Sequence, residues 1–221
     1  MFSMLLVLCT TAQEVKIFKI KAGEVVGEVL KPEDIYRYPK FAPGTVVFKS
    51  GETASGLMNY NYLEGEINFV DAKGDTLALA NAENIKLLTI NKDSFYYYQG
   101  YLLALYNSKN FTLAKRQVIR LARADKAGAF DQSMPSASQS FGGFQSDFRM
   151  ARYTVRENLT LALYTDYFIG DRFGKFTALN KKSLLKYTDN EKAVSEFLKS
   201  NDINFSKEDD LKKVIQFLQT L

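Results

Sequence analysis

The chain has 221 residues but no histidine, no tryptophan, a single cysteine and only 4 prolines. Each gap removes a class of chemistry. Without an imidazole there is no Ser-His-Asp triad, no Cys-His pair, no His-ligated zinc and no histidine pH switch. With Cys9 as the only thiol, no disulfide can form within the chain. The scarcity of proline, together with 13 Tyr and 17 Phe, favours strands over disorder. No stretch approaches the roughly 18 consecutive apolar residues of a membrane-spanning helix. One-sided charge is lacking too: 29 Lys+Arg against 25 Asp+Glu leave a formal net charge of +4. That excess is too small to predict a nucleic-acid partner, which needs basic residues concentrated on one face. What remains is an ordinary globular composition, 46% hydrophobic and 24% charged, long enough for one domain with a small appendage.

The amino terminus points to export. Met4-Leu5-Leu6-Val7-Leu8-Cys9 is an apolar run, followed by Thr10-Thr11-Ala12 and then Gln13. This is the order of an export signal, with cleavage expected after Ala12. Residues 1–12 then leave and take Cys9 with them. The alternative is a buried N-terminal strand. Nothing before Met4 carries the usual positive charge. Leu8 stands where a lipoprotein signal carries a small residue, which argues against a lipid on Cys9. The expected location is periplasmic, outer-membrane associated or secreted.

From Val15 to about Arg123 short apolar runs alternate with a period of two, broken by turns such as Lys49-Ser50-Gly51-Glu52, Leu63-Glu64-Gly65-Glu66 and Asp71-Ala72-Lys73-Gly74-Asp75. The spacing predicts an antiparallel meander closing into a sandwich or barrel-like fold, with no helix of ten or more residues. Residues 127–150 lose the pattern. They read as a long Ser-rich loop carrying Phe141, Phe144 and Phe148, which serve to pin the loop to the sheet or to meet a partner. Strands resume at Tyr153–Val155 and Leu159–Leu163 and continue to Tyr167–Ile169. The end is helical. Thr188 with Glu191, and Ser206 with Asp209, have capping-box spacing, and Leu211, Val214, Ile215 and Leu218 fall on one helical face. The expected fold is mainly β, α+β overall. A domain over 13–180 is followed by a two-helix hairpin over 181–221.

Several constellations invite a functional reading. Asp202, Asn204 and Ser206 have the alternate spacing of a calcium loop, but Lys207 and Lys213 stand where glycine and a bidentate glutamate belong. Gly170 to Phe176 has one residue too few for a phosphate loop, and Phe176 replaces the hydroxyl that would hold magnesium. Neither supports a metal, and no cofactor is expected. Lys115, Arg116, Arg120, Arg123 and Lys126 form a basic cluster, and alternation puts Arg116 and Arg120 on one strand face with Val118. This is either a stripe for an anionic ligand or solvated charge that keeps sheets apart. Phe95-Tyr96-Tyr97-Tyr98 with Tyr101 is the densest aromatic run, with Phe95 and Tyr97 on one face and Tyr96 and Tyr98 on the other. One face is core. The other is a platform for sugar rings or a cross-strand pairing surface. Glu64, Glu66, Asp71 and Asp75 are available for hydrolase chemistry, although all four lie beside turn glycines.

Several segments resemble a family of uncharacterised exported β-rich proteins of Bacteroidetes-type bacteria. They are Tyr38-Pro39-Lys40-Phe41 leading to Gly44-Thr45-Val46, Leu57-Met58-Asn59-Tyr60-Asn61 before Gly65-Glu66-Ile67, and Gly74-Asp75-Thr76-Leu77-Ala78-Leu79, joined by the Ser-rich loop after Gly128-Ala129-Phe130 and the ending Ile203-Asn204-Phe205 to Asp209-Asp210-Leu211. The resemblance implies export and a β-rich fold and assigns no site. The expectation is a non-catalytic envelope or secreted protein with a protein-interaction or structural role, its partner another envelope protein or a glycan. The alternative is a glycan-binding module using 95–101, and behind it a carboxylate-dependent hydrolase. The residues expected to touch a ligand are Tyr96, Tyr98, Tyr101, Arg116 and Arg120.

Overall fold

A run that alternates apolar and polar side chains buries one face only if the backbone is extended. The computed structural model bears this out over the residues it describes, 16–127, 133–135, 153–171 and 174–221. The proposed export signal, Cys9 and the phenylalanines of the 127–150 loop lie outside them.

The chain opens with β1 (Ile17–Ile20) and two single-turn helices, α1 (Val26–Val29) and α2 (Pro32–Ile35). Eight strands follow: β2 (Ala42–Phe48), β3 (Thr53–Asn61), β4 (Glu66–Val70), β5 (Thr76–Ala78), β6 (Ile85–Ile90), β7 (Asp93–Tyr97), β8 (Tyr101–Asn107) and the 17-residue β9 (Phe111–Ala127). After these come β10 (Ser133–Pro135), the 14-residue β11 (Asn158–Asp171) and β12 (Phe176–Ala178). Three helices close the described chain: α3 (Lys181–Leu185), α4 (Glu191–Ser200) and α5 (Glu208–Leu218). The protein is mainly antiparallel β, with helices at the carboxyl end, as the periodicity requires.

The strands form one sheet rather than the two of a sandwich. Its main path is β1-β11-β9-β8-β7-β6-β2-β3-β4-β5, with β10 on β9 and β12 on β11. Two consecutive meanders, β2–β5 and β6–β9, are joined where β6 pairs with β2. The path is open, yet it curls back on itself. β8 pairs with β9 only as far as Lys115. Beyond that point the end of the β3–β4 hairpin takes its place: the Ile119 N–H donates to the Tyr62 carbonyl at 2.7 Å and the Tyr60 hydroxyl to the Gln117 carbonyl at 2.8 Å. Gly65 at the hairpin tip has φ +71, and a Cβ there would lie 3.3 Å from Val118 Cγ2. Both the left-handed backbone and the close approach call for glycine.

The curl encloses a core of Val46, Met58, Tyr60, Ile67, Leu88, Ile90, Phe95, Tyr101 and Leu103. A second cluster gathers Ile20, Val26, Leu30, Leu63, Ile119 and Leu161 beneath the amino-terminal segment. The third attaches the helices: Leu184, Val194, Leu198 and Val214 pack on Phe111, Leu113 and Ile169. Each such buried aliphatic side chain contributes roughly 1.5–3 kcal/mol, enough to hold short helices that would melt alone. Polar contacts add direction. The Lys115 side chain, 10% exposed, donates from Nζ to Glu208 Oε2 at 2.7 Å, joining sheet to α5.

Several expectations change in detail. The carboxyl end has three helices, not two, and both predicted caps move. Asn190, not Thr188, caps α4 by accepting from the Ala193 N–H, and Lys207 precedes α5 with no side-chain cap. Tyr153–Val155 is not a strand: Thr154 makes one isolated bridge to Val25. Within the stretch read as loop, residues 133–135 pair with residues 125–127. The calcium-like segment satisfies itself, Asn204 Oδ1 accepting from the Ser206 N–H and Asp210 Oδ2 from the Asn204 N–H.

Candidate functional site

The antiparallel register of β9 and β11 pairs Arg116 with Asp166, Val118 with Tyr164 and Ala114 with Phe168. Side chains of directly paired residues share a face, so the sheet's outer surface carries Arg116, Arg120, Tyr164, Asp166 and Phe168 together. Both guanidinium groups converge on one carboxylate oxygen, with Asp166 Oδ2 2.9 Å from Arg120 Nη2 and 3.8 Å from Arg116 Nη2. Arg116 also donates from Nη1 to the Gln99 carbonyl at 2.8 Å. Rings hold the cations in place: Arg116 lies 5.0 Å from the Phe168 centroid and Arg120 5.9 Å from that of Tyr164. Two positive charges thus face one negative charge.

Tyr96 and Tyr98 belong to this same layer. Both are half-buried, because Phe176 of β12 lies over the sheet with its ring 5.7 Å from Tyr96 and 6.0 Å from Tyr98. Gly170 admits that ring: a Cβ there would meet Phe176 at 2.5 Å. Phe176, Leu102 and Ala114 form a small buried cluster against Phe168 and the two tyrosines. The rings are packing partners of Phe176, tilted at 48° and 50° to it.

Tyr101 stands apart from the other four predicted contacts. It pairs with Tyr97 across the β7–β8 turn and points into the curl, 1% exposed. Its hydroxyl has no hydrogen-bond partner among the described residues, and burial pushes its pKa up, with the charge of Glu66 adding to the effect. Beside it is a hollow lined by Arg37, Tyr60, Tyr62, Lys115 and Gln117, with room for about one water molecule. Both cations in its wall are already paired, Lys115 with Glu208 and Arg37 with Asp93 at 2.9 Å.

The carboxylates divide into two groups. Asp71 Oδ1 accepts from the Lys73 and Asp75 N–H groups and so builds the β4–β5 turn. Glu64 and Glu66 flank Gly65 at the hairpin tip. Glu64 accepts from Asn61 Nδ2 at 3.0 Å and from Asn68 Nδ2 at 3.5 Å. Among the described residues no hydrogen bond or ion pair reaches the Glu66 carboxylate. Burial, and after it the neighbouring charge of Glu64, pushes its pKa up to about 7. Burial raises Glu64 as well, opposed by the bond from Asn68. The pair occupies one turn, whereas a hydrolytic pair is opposed across a cleft. No group of three or more acidic or cysteine side chains is placed to hold a metal ion among the described residues.

Compared with family models, curated proteins and solved structures, the chain matches none. The site therefore rests on its own geometry. Sequence reading nominated Arg116 and Arg120 but missed Asp166, Tyr164 and Phe168, because which strand lies beside β9, and in which register, is not written in a period of two.

Proposed function

We propose that this is an exported, non-catalytic binding protein of the cell envelope, which meets another component of that envelope through the outer face of β9 and β11. One observation carries the reading: Arg116 and Arg120 share the single carboxylate of Asp166, so a sheet surface presents charge that the described residues only half neutralise. A merely protective surface charge would be met with full pairing or with free solvation. Here the guanidinium planes are held against rings. The apolar run Met4–Cys9 before Thr10-Thr11-Ala12, and the resemblance to exported β-rich proteins, support the location. No helix of the described chain is long and apolar enough to cross a membrane.

The test compares wild-type protein with the double variant Arg116→Gln/Arg120→Gln as bait in native envelope extract. Circular dichroism and the unfolding midpoint show whether the variant is folded. Loss of the captured component from the folded variant supports this face, and unchanged capture refutes it. Sequencing the amino terminus of protein recovered from fractionated cells tests export: a chain starting at Gln13 outside the cytoplasm is expected.

A further inference from the structure

We infer that the ligand of this face is an acidic polysaccharide, with a sugar carboxylate taking the Nη donors of Arg116 and Arg120 that Asp166 leaves free and a pyranose ring against Tyr164. The inference rests on the binding role proposed above and names its chemistry. Asp166 is 41% exposed at the point where the two guanidinium groups converge, so that point is open to water. A guanidinium has five N–H donors. Arg120 commits one nitrogen to Asp166, and Arg116 commits Nη1 to Gln99. Both Nε atoms are buried and unpartnered among the described residues, so the donors left for a second carboxylate are the remaining Nη hydrogens, whose paired end can still make two parallel hydrogen bonds. Because Phe168 and Tyr164 already hold the planes, little side-chain freedom is lost when a ligand arrives.

The ring beside the charge selects the ligand. Tyr164 is 40% exposed, a large aromatic surface adjoining a cation. A sugar acid offers the matching pair, an apolar face of C–H groups and a carboxylate on one ring. A nucleic acid fits poorly, since phosphate backbones are held by several cations acting together. A lipid surface calls for a polybasic cluster or inserted apolar side chains. An acidic protein segment would supply the carboxylate but would seek a broader aromatic contact, and Tyr96, Tyr98 and Phe168 are already packed on Phe176 and its neighbours.

The probe is an oligogalacturonate titrated calorimetrically into the full chain, with its methyl ester as the neutral control. Wild type should bind the acid and not the ester. Arg120→Gln and Tyr164→Ala should each weaken binding about tenfold, the loss of one good contact. Asp166→Asn removes the competing carboxylate and should strengthen binding several-fold, an effect that misfolding cannot imitate. Equal binding of acid and ester, or no gain in the Asp166 variant, overturns the inference. If poly-glutamate binds this face and oligogalacturonate does not, the sugar assignment fails while the binding role stands. If neither binds and the arginine variants lose nothing from envelope extract, both fail.

Discussion

Replacing Glu66 by glutamine should stabilise the protein at pH 8 and leave it nearly unchanged at pH 5. The carboxyl has an ordinary value of 4.5 and is pushed up to about 7 by burial and by the charge of Glu64. A raised carboxyl means that the folded state holds its proton more tightly than the unfolded state does. The associated stability is therefore present below about pH 4.5 and is lost as pH rises through about 7. At roughly 1.4 kcal/mol per unit the full shift would correspond to about 3 kcal/mol. Water still reaches this side chain, and Glu64 takes part of the repulsion, so about 1–2 kcal/mol is the expected gain at pH 8. Urea unfolding of wild type and Glu66→Gln at four values between pH 5 and 8 measures it, and other titrating groups cancel in the difference. The difference must grow with pH. A constant offset, or an advantage confined to pH 5, would show that Glu66 is ionised without penalty in the folded hairpin.

Two further outcomes follow from packing. Glu208→Ala leaves the Lys115 ammonium, 10% exposed, without its partner and should cost about 1–3 kcal/mol. Adding Lys115→Met should recover most of that loss in the same denaturant titration, and no recovery would mean that Glu208 acts through α5 alone. Gly170→Ala places a methyl within 2.5 Å of the Phe176 ring. It should destabilise by about 1–3 kcal/mol and raise quenching of Tyr96 and Tyr98 fluorescence by acrylamide, as the ring lifts away. An unchanged unfolding midpoint would refute the close approach.

The face assigned to each aromatic side chain was legible wherever the alternation ran unbroken. Phe95 is buried in the core and Tyr96 lies on the opposite surface. Tyr101 was not legible as part of that series. Gln99 and Gly100, both with positive φ, reverse the chain, so Tyr101 opposes Tyr97 instead of continuing from Tyr98. Hairpins were readable because turn chemistry is local, as at Asp71–Asp75. The β2–β6 and β1–β11 pairings were not, since a period of two specifies a face and never a neighbour. For the same reason the convergence of two arginines on Asp166 could not be foreseen. Helices α1 and α2, four residues each, are too short to display a helical period. The cap of α4 fell two residues from expectation because the Thr188 hydroxyl accepts from the Asn190 N–H, ahead of the helix, and leaves Asn190 Oδ1 to accept from the Ala193 N–H.

The first strand has a consequence for how the molecule is made. Ile17 finds its partner in Ala162, and among the described residues β1 pairs with β11 alone. A chain emerging from the ribosome can complete both meanders while this strand waits unpaired, and the sheet gains its last edge only when the far side has been synthesised. Contacts so distant in sequence slow folding. The newborn protein should therefore remain incompletely folded until translation is nearly over, which gives holding chaperones a defined interval in which to act.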